Sequence, residues 1–163
     1  MHKLQEQYLF LARHNIHSAE ELVGTIASLT DKKKETSAEK SRIYKARERS
    51  MELFTAADEM ENLKPAEQSY RLGDTFFEDE HRKWVALEQE LQAQGYSLEE
   101  VQALRRHYKE EYSEVCAKEK VVFRELNTGK AILNSMIPDS ISDGRKTEYN
   151  REIIRDRKEQ PVR

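Results

Sequence analysis

Apolar residues between positions 101 and 136 recur at alternating steps of three and four: Val101, Leu104, Tyr108, Tyr112, Val115, Glu119, Val122, Leu126, Gly129, Leu133 and Met136. Nine of these eleven positions are apolar, Glu119 and Gly129 being the exceptions. Only a helix places such a series on one stripe, and a period of 3.5 predicts helices packed in the manner of a coiled coil. At about 1.5 Å per residue that helix is roughly 54 Å long.

Upstream the pattern is shorter in range. A first helix is predicted over 3–13 with Leu4, Tyr8 and Leu11 on one face, broken by His14 and Asn15. Ser18 opens a second helix through a capping box with Glu21, and Leu22, Ile26 and Leu29 continue it on a four-three spacing. From 30 to 42 the stripe vanishes into charged and small residues. No Pro or Gly interrupts that stretch, so a continuous solvated helix is predicted, with Thr36 or Ser37 as alternative restart points. Apolar positions resume at Ile43 in a shifted phase, through Ala46, Leu53, Ala57 and Met60. Pro65 ends the run, because proline disfavours helix at the residue before it.

Pro65 then begins a short helix to about Leu72, and Gly73 with Asp74 forms a turn. Thr75 caps a helix that carries Phe76, Phe77, Trp84, Leu87 and Leu91, and Gly95 stops it. Ser97 with Glu100 is a further capping box that launches the long helix, closed by Ile137 and Pro138. The tail at 138–163 is polar and expected to be disordered, with a weak helix over 146–158. The fold class is therefore all-α: an elongated antiparallel helical hairpin or small bundle with coiled-coil-like packing over 1–137. Its two long helices, 18–63 and 97–136, are joined by a shorter pair. A domain-swapped, parallel or other homodimer through the 101–136 stripe satisfies the same pattern.

Composition agrees with this picture. Of 163 residues, 36% are charged and 8% aromatic, too polar a mixture for a deep globular core. The net charge of −3 argues against a dedicated nucleic-acid binder. One cysteine, Cys116, stands next to the stripe residue Val115, where packing is the plain reading and no internal disulfide is open to it. The N-terminus has no signal-peptide pattern, and no apolar stretch approaches the roughly 18 residues that span a bilayer. A cytoplasmic protein without membrane contact is expected.

Catalytic chemistry is scarcely represented. His14 and His17 are three apart across a predicted helix break, whereas helical metal pairs usually stand four apart, so neither a metal nor a cofactor is expected. No Gly-rich phosphate loop, Ser elbow or Cys-x-x-Cys is present, and an enzyme is not expected. The one charge feature to weigh is 32–49, where Lys32, Lys33, Lys34, Lys40, Arg42, Lys45, Arg47 and Arg49 face only Glu35, Glu39 and Glu48. A basic helix of this kind can track a phosphate backbone, though a solvated coiled-coil exterior is the plainer explanation.

The order of features also resembles a known family. "LARHNIHSAEEL" and the later "YSLEEVQALRRHYKEEYSEVCAKEKVVFRELNTGKAILNSMI", with the aromatic "FFEDEHRKW" between them, are similar to the C-terminal helical region of conjugative relaxases, the mobilisation proteins of mobile genetic elements. The resemblance covers roughly 1–137 and rests on soft helical patterns. It implies a helical arm that assists DNA transfer by binding DNA or proteins of the transfer machinery. It implies no catalysis: the family's histidine cluster and catalytic tyrosine belong to a nuclease domain that this sequence does not match. The eight basic residues of 32–49 would then be the phosphate contacts. The alternative is a coiled-coil scaffold with no nucleic-acid role.

Overall fold

Five α-helices account for nearly all of the chain described by the computed structural model, which covers residues 1–137. They are α1 (His2–Arg13), α2 (Ala19–Arg49), α3 (Met51–Arg71), α4 (Glu78–Ala93) and α5 (Leu98–Ser135), with a 3₁₀ turn at Thr75–Phe77 before α4. No strand occurs among the described residues, and the expected all-α class holds. The tail at 138–163 and its predicted weak helix lie outside the described residues.

Local chemistry explains where three of the helices stop. Asn15, Gly73 and Gly95 all have positive φ. Each is followed by an amide that reaches back five residues: Ile16 to the Leu11 carbonyl, Asp74 to Ser69 and Tyr96 to Leu91. This is the Schellman closure, which satisfies the orphan carbonyls of a last turn. Helix starts are equally local. Ser18 Oγ accepts from the Glu21 amide at 3.2 Å while Glu21 reaches back to the His17 amide. Ser97 and Glu100 exchange both bonds of a capping box at 3.2 Å.

Four local expectations are corrected. Pro65 does not end a helix; α3 runs through it to Arg71. Pro65 and Glu61, whose carbonyl loses its donor, are both exposed, so water can serve that carbonyl. The predicted helix over 18–63 is instead divided at Ser50. Its hydroxyl donates to the Ala46 carbonyl at 3.2 Å, and its amide shifts to Arg47 at 3.1 Å. Hydroxyl competition of this kind loosens a helix ladder. Thr75 is not the cap of α4: Asp74 accepts from the Phe76 amide and caps the 3₁₀ turn, and α4 begins at Glu78. On α1 the packed residue is Phe10, fully buried, whereas Leu4 and Tyr8 are 75% and 72% exposed.

The phase of α2 is the fourth correction's counterpart on a larger scale. Leu22, Ile26, Leu29, Lys33, Thr36, Lys40 and Ile43 follow one unbroken four-three spacing, and all seven are buried or half-buried. Ile43 is therefore in phase with Leu29, not shifted. Polar residues occupy the inward positions between them, which hid the register.

The chain divides into two compact units. The first comprises Met1–Ala38 and the described part of Cys116–Arg163; the second is Glu39–Val115. In the first, Phe10, Leu22, Ile26, Leu29, Leu126 and Ile132 form the core. There α2 and α5 run antiparallel, with Ile26 beside Gly129 and Lys33 over Phe123. In the second, Leu53, Phe54, Met60, Trp84, Leu91 and Val101 form the core. There α3 and α5 run antiparallel, Phe54 lying edge-on to Tyr108 while Asp58 and Glu61 meet Arg105 and Gln102. Val101, Val115 and Leu126 of the predicted stripe are buried within the single chain. The predicted last member of the stripe, Met136, is 52% exposed, and Ile137 is buried in its place.

Candidate nucleic-acid interface

Helix α2 carries all eight basic residues picked from the sequence, but their surroundings differ. In the first unit Lys32 and Lys34 are exposed. Lys33 occupies an inward position and holds its ammonium 4.3 Å from the centroid of the Phe123 ring, a cation–π contact. In the second unit Lys40 is likewise half-buried, its amine 5.8 Å from the Tyr112 ring centroid. Arg42, Lys45, Arg47 and Arg49 are exposed.

Helical geometry sorts these further. Arg42, Lys45 and Arg49 stand three and four apart, so they share one outward face. Arg47 is two residues from both Lys45 and Arg49, which puts it on the other side of the helix. Arg49 Nε donates to the Lys45 carbonyl at 3.3 Å, drawing its side chain along that face. Lys32 and Lys34 are also two apart and point to different sides. Of the eight residues, Arg42, Lys45 and Arg49 form one clustered basic face, Lys33 and Lys40 lie inward, and Lys32, Lys34 and Arg47 are exposed singly along the helix.

One feature of the first unit was not picked from the sequence. A groove of about 580 Å³ lies between α1 and α5, lined among others by Lys3, Lys120, Arg124, Phe123 and Asn127, with Glu6 and Glu119 also on its wall. Lys120, Arg124 and Asn127 stand at four-three spacing on α5, which was legible in principle. Lys3 joins them only through the packing of α1, which no local pattern announces. Phe123 is 44% exposed there.

Several other charged groups make contacts within their own unit. His14 pairs with the half-buried Glu125, which also meets Arg13 at 2.8 Å, and so ties the end of α1 to α5. His17 Nε2 donates to Asn15 Oδ1 at 2.8 Å. The two histidines weighed as a metal pair thus turn to different partners. In the second unit Glu67 is 2% exposed. Burial opposes its charge, but hydrogen bonds from His81 at 2.7 Å and Arg71 at 2.8 Å together outweigh it and hold the carboxyl below its ordinary value. The His81 ring stacks on Tyr70 with centroids 4.1 Å apart. Asp58 is lowered by its bidentate hydrogen bonds from Arg105, on the exposed surface. Cys116 is a free, half-buried thiol.

Among the described residues no three His, Cys, Asp or Glu side chains are grouped to hold a metal ion, and no helix is long and apolar enough to cross a membrane. Comparison with family models, curated proteins and solved structures finds no match for this chain.

Proposed function

We propose that this chain is a non-catalytic helical arm of a relaxase-like mobilisation protein, assisting conjugative DNA transfer through binding. The observation that carries the reading is the outward face Arg42–Lys45–Arg49. Among the described residues none of the three meets a carboxylate, so their charge is directed at solvent and at whatever polyanion approaches. Phosphate contacts of this kind give affinity without base specificity, and each makes binding steeper in salt. The groove lined by Lys3, Lys120 and Arg124 offers a second basic surface, with Phe123 as an aromatic on which a base can stack.

The test is fluorescence anisotropy with single-stranded and duplex DNA over a salt series. Replacing Arg42, Lys45 and Arg49 together by Glu is expected to weaken binding and to flatten the log–log salt slope by about 2 to 3, from ~0.7–0.9 per lost phosphate contact. Unchanged affinity would remove this face from the assignment. A second reading, a scaffold that docks proteins only, is favoured by the exposed apolar residues Leu4 and Tyr8 on α1, with Met1 just before it. It predicts no DNA binding even at ~50 mM salt, where screening is weak.

A further inference from the structure

The groove between α1 and α5 is assembled from two helix faces of the first unit. On α5, Lys120, Phe123, Arg124 and Asn127 stand at three-four steps and share one face, as Lys3 and Gln7 do on α1. The volume of about 580 Å³ lies within the range of ordinary ligand sites. Its walls are open: the four α5 residues and Lys3 are exposed, and Gln7 is half-buried. Phe123 carries the Lys33 ammonium 4.3 Å from its ring centroid, yet the residue is 44% exposed. The cation takes one ring face and leaves the other as a stacking surface. Among the described residues Lys3, Lys120 and Arg124 enter no ion pair, whereas Arg13 of the same unit meets Glu125 at 2.8 Å. A planar apolar surface, three uncommitted cations and two amide side chains thus converge, with Glu6 and Glu119 as the opposing charges.

We propose that this groove binds a nucleotide unit, an aromatic base joined to a phosphate. The base would stack on Phe123, a contact open only to an unpaired base, since duplex neighbours cover both of its faces. The phosphate would meet Lys120 and the guanidinium fork of Arg124, with Lys3 closing from α1. Gln7 and Asn127 each offer a donor and an acceptor, which suits the polar edge of a base. Glu6 and Glu119 repel further anionic groups, so the groove fits one phosphate rather than a run of them. A free nucleotide and an unpaired residue of a single strand present the same chemistry here. The assignment rests on the reading of the groove as an anion-binding surface, but not on the outward face of α2.

The full chain, isotopically labelled on nitrogen, is titrated with adenosine monophosphate (AMP), adenosine, inorganic phosphate and a short oligodeoxyadenylate. AMP is expected to move the amide resonances of 3–7 and 120–131 saturably and to leave those of 42–49 in place. Adenosine and phosphate should each bind about tenfold more weakly, because each lacks one of the two contacts. Phe123→Ala should weaken AMP about fivefold or more through loss of stacking, and Phe123→Trp should retain it. Lys120→Gln with Arg124→Gln, both at exposed positions, should weaken AMP about three- to tenfold and leave adenosine unchanged. With Arg42, Lys45 and Arg49 replaced by Glu, AMP should bind as it does to the parent. Its loss there would place the site on α2 and overturn this proposal, whereas retained AMP binding beside unchanged DNA affinity removes only the α2 face. A strand that binds more tightly than AMP through the same resonances identifies an unpaired strand residue as the source. Equal or weaker binding of the strand identifies the free nucleotide. The proposal is overturned by resonances that stay still at about 5 mM AMP, where even millimolar affinity nearly saturates. Unchanged affinity in Phe123→Ala overturns it too, as does tighter binding of an acetyl-capped, amidated Glu-Phe-Glu-Glu peptide, which would make the groove a protein-docking site.

Discussion

Gly129 of α5 lies so close to Phe10 of α1 that a Cβ built on it would stand 3.1 Å from the ring carbon Cζ, and equally close to Ile26 Cγ1. A glycine in mid-helix costs about 1 kcal/mol relative to alanine, so its presence at an inward position needs a packing reason. Close approach of α1 and α2 to α5 supplies it. Gly129→Leu is expected to destabilise by about 1–3 kcal/mol, because the fully buried Phe10 has no solvent to retreat into. Denaturant melts of the variant check this, and a stability equal to the parent would refute the close-approach account.

Glu67 is the buried carboxylate of the second unit, held charged by His81 and Arg71. Because its folded value lies below the unfolded one, its stabilisation is complete above the ordinary value near 4.5 and is lost as pH falls through the folded value. Glu67→Gln should therefore lower stability by about 1–3 kcal/mol at neutral pH. The gap to the parent should narrow progressively below about pH 4.5. Thermal melts of both proteins from pH 7 to 3 measure it, and a gap that widens on acidification contradicts the assignment.

Lys33 holds its amine over Phe123, whereas Arg42, Lys45 and Arg49 project outward. Lys33→Leu is accordingly expected to leave DNA affinity and its salt slope unchanged, in contrast to the triple charge reversal on the outward face. The same anisotropy series decides it. A loss with Lys33→Leu as large as that of the triple variant would mean that the inward amine reaches DNA.

The stripe on α5 makes a graded prediction. Leu126, buried beside Ile132 in the first core, should cost about 2–4 kcal/mol when replaced by alanine. Met136, at the exposed end of the same series, should change stability by less than about 0.5 kcal/mol. Equal effects at the two positions would show that the stripe is not buried as described.

Much of this protein was determined within a few residues of chain. The Schellman stops at Asn15, Gly73 and Gly95 and the capping boxes at Ser18 and Ser97 depend on φ preferences and short side-chain bonds, which neighbouring residues dictate. The stripe from Val101 to Leu133 was equally legible, because burial repeats with the helical period whatever covers it. The basic character of 32–49 was plain from composition. Which of those cations face outward was not.

Tertiary structure decided the rest. Pro65 stays helical although its local preference is to end a helix, and local spacing favoured Leu4 and Tyr8 where packing buried Phe10. Lys33, Thr36 and Lys40 keep the inward register of α2 through a stretch that reads as unpatterned, because a long amine can lie along an aromatic ring in its own unit. Glu67 looks like any surface glutamate until α4 brings His81 to it. Turns and periods are local energies that neighbouring residues carry themselves. The choice of face, the burial of a charge and the closeness of two helices depend on partners far along the chain, and only their meeting sets those energies.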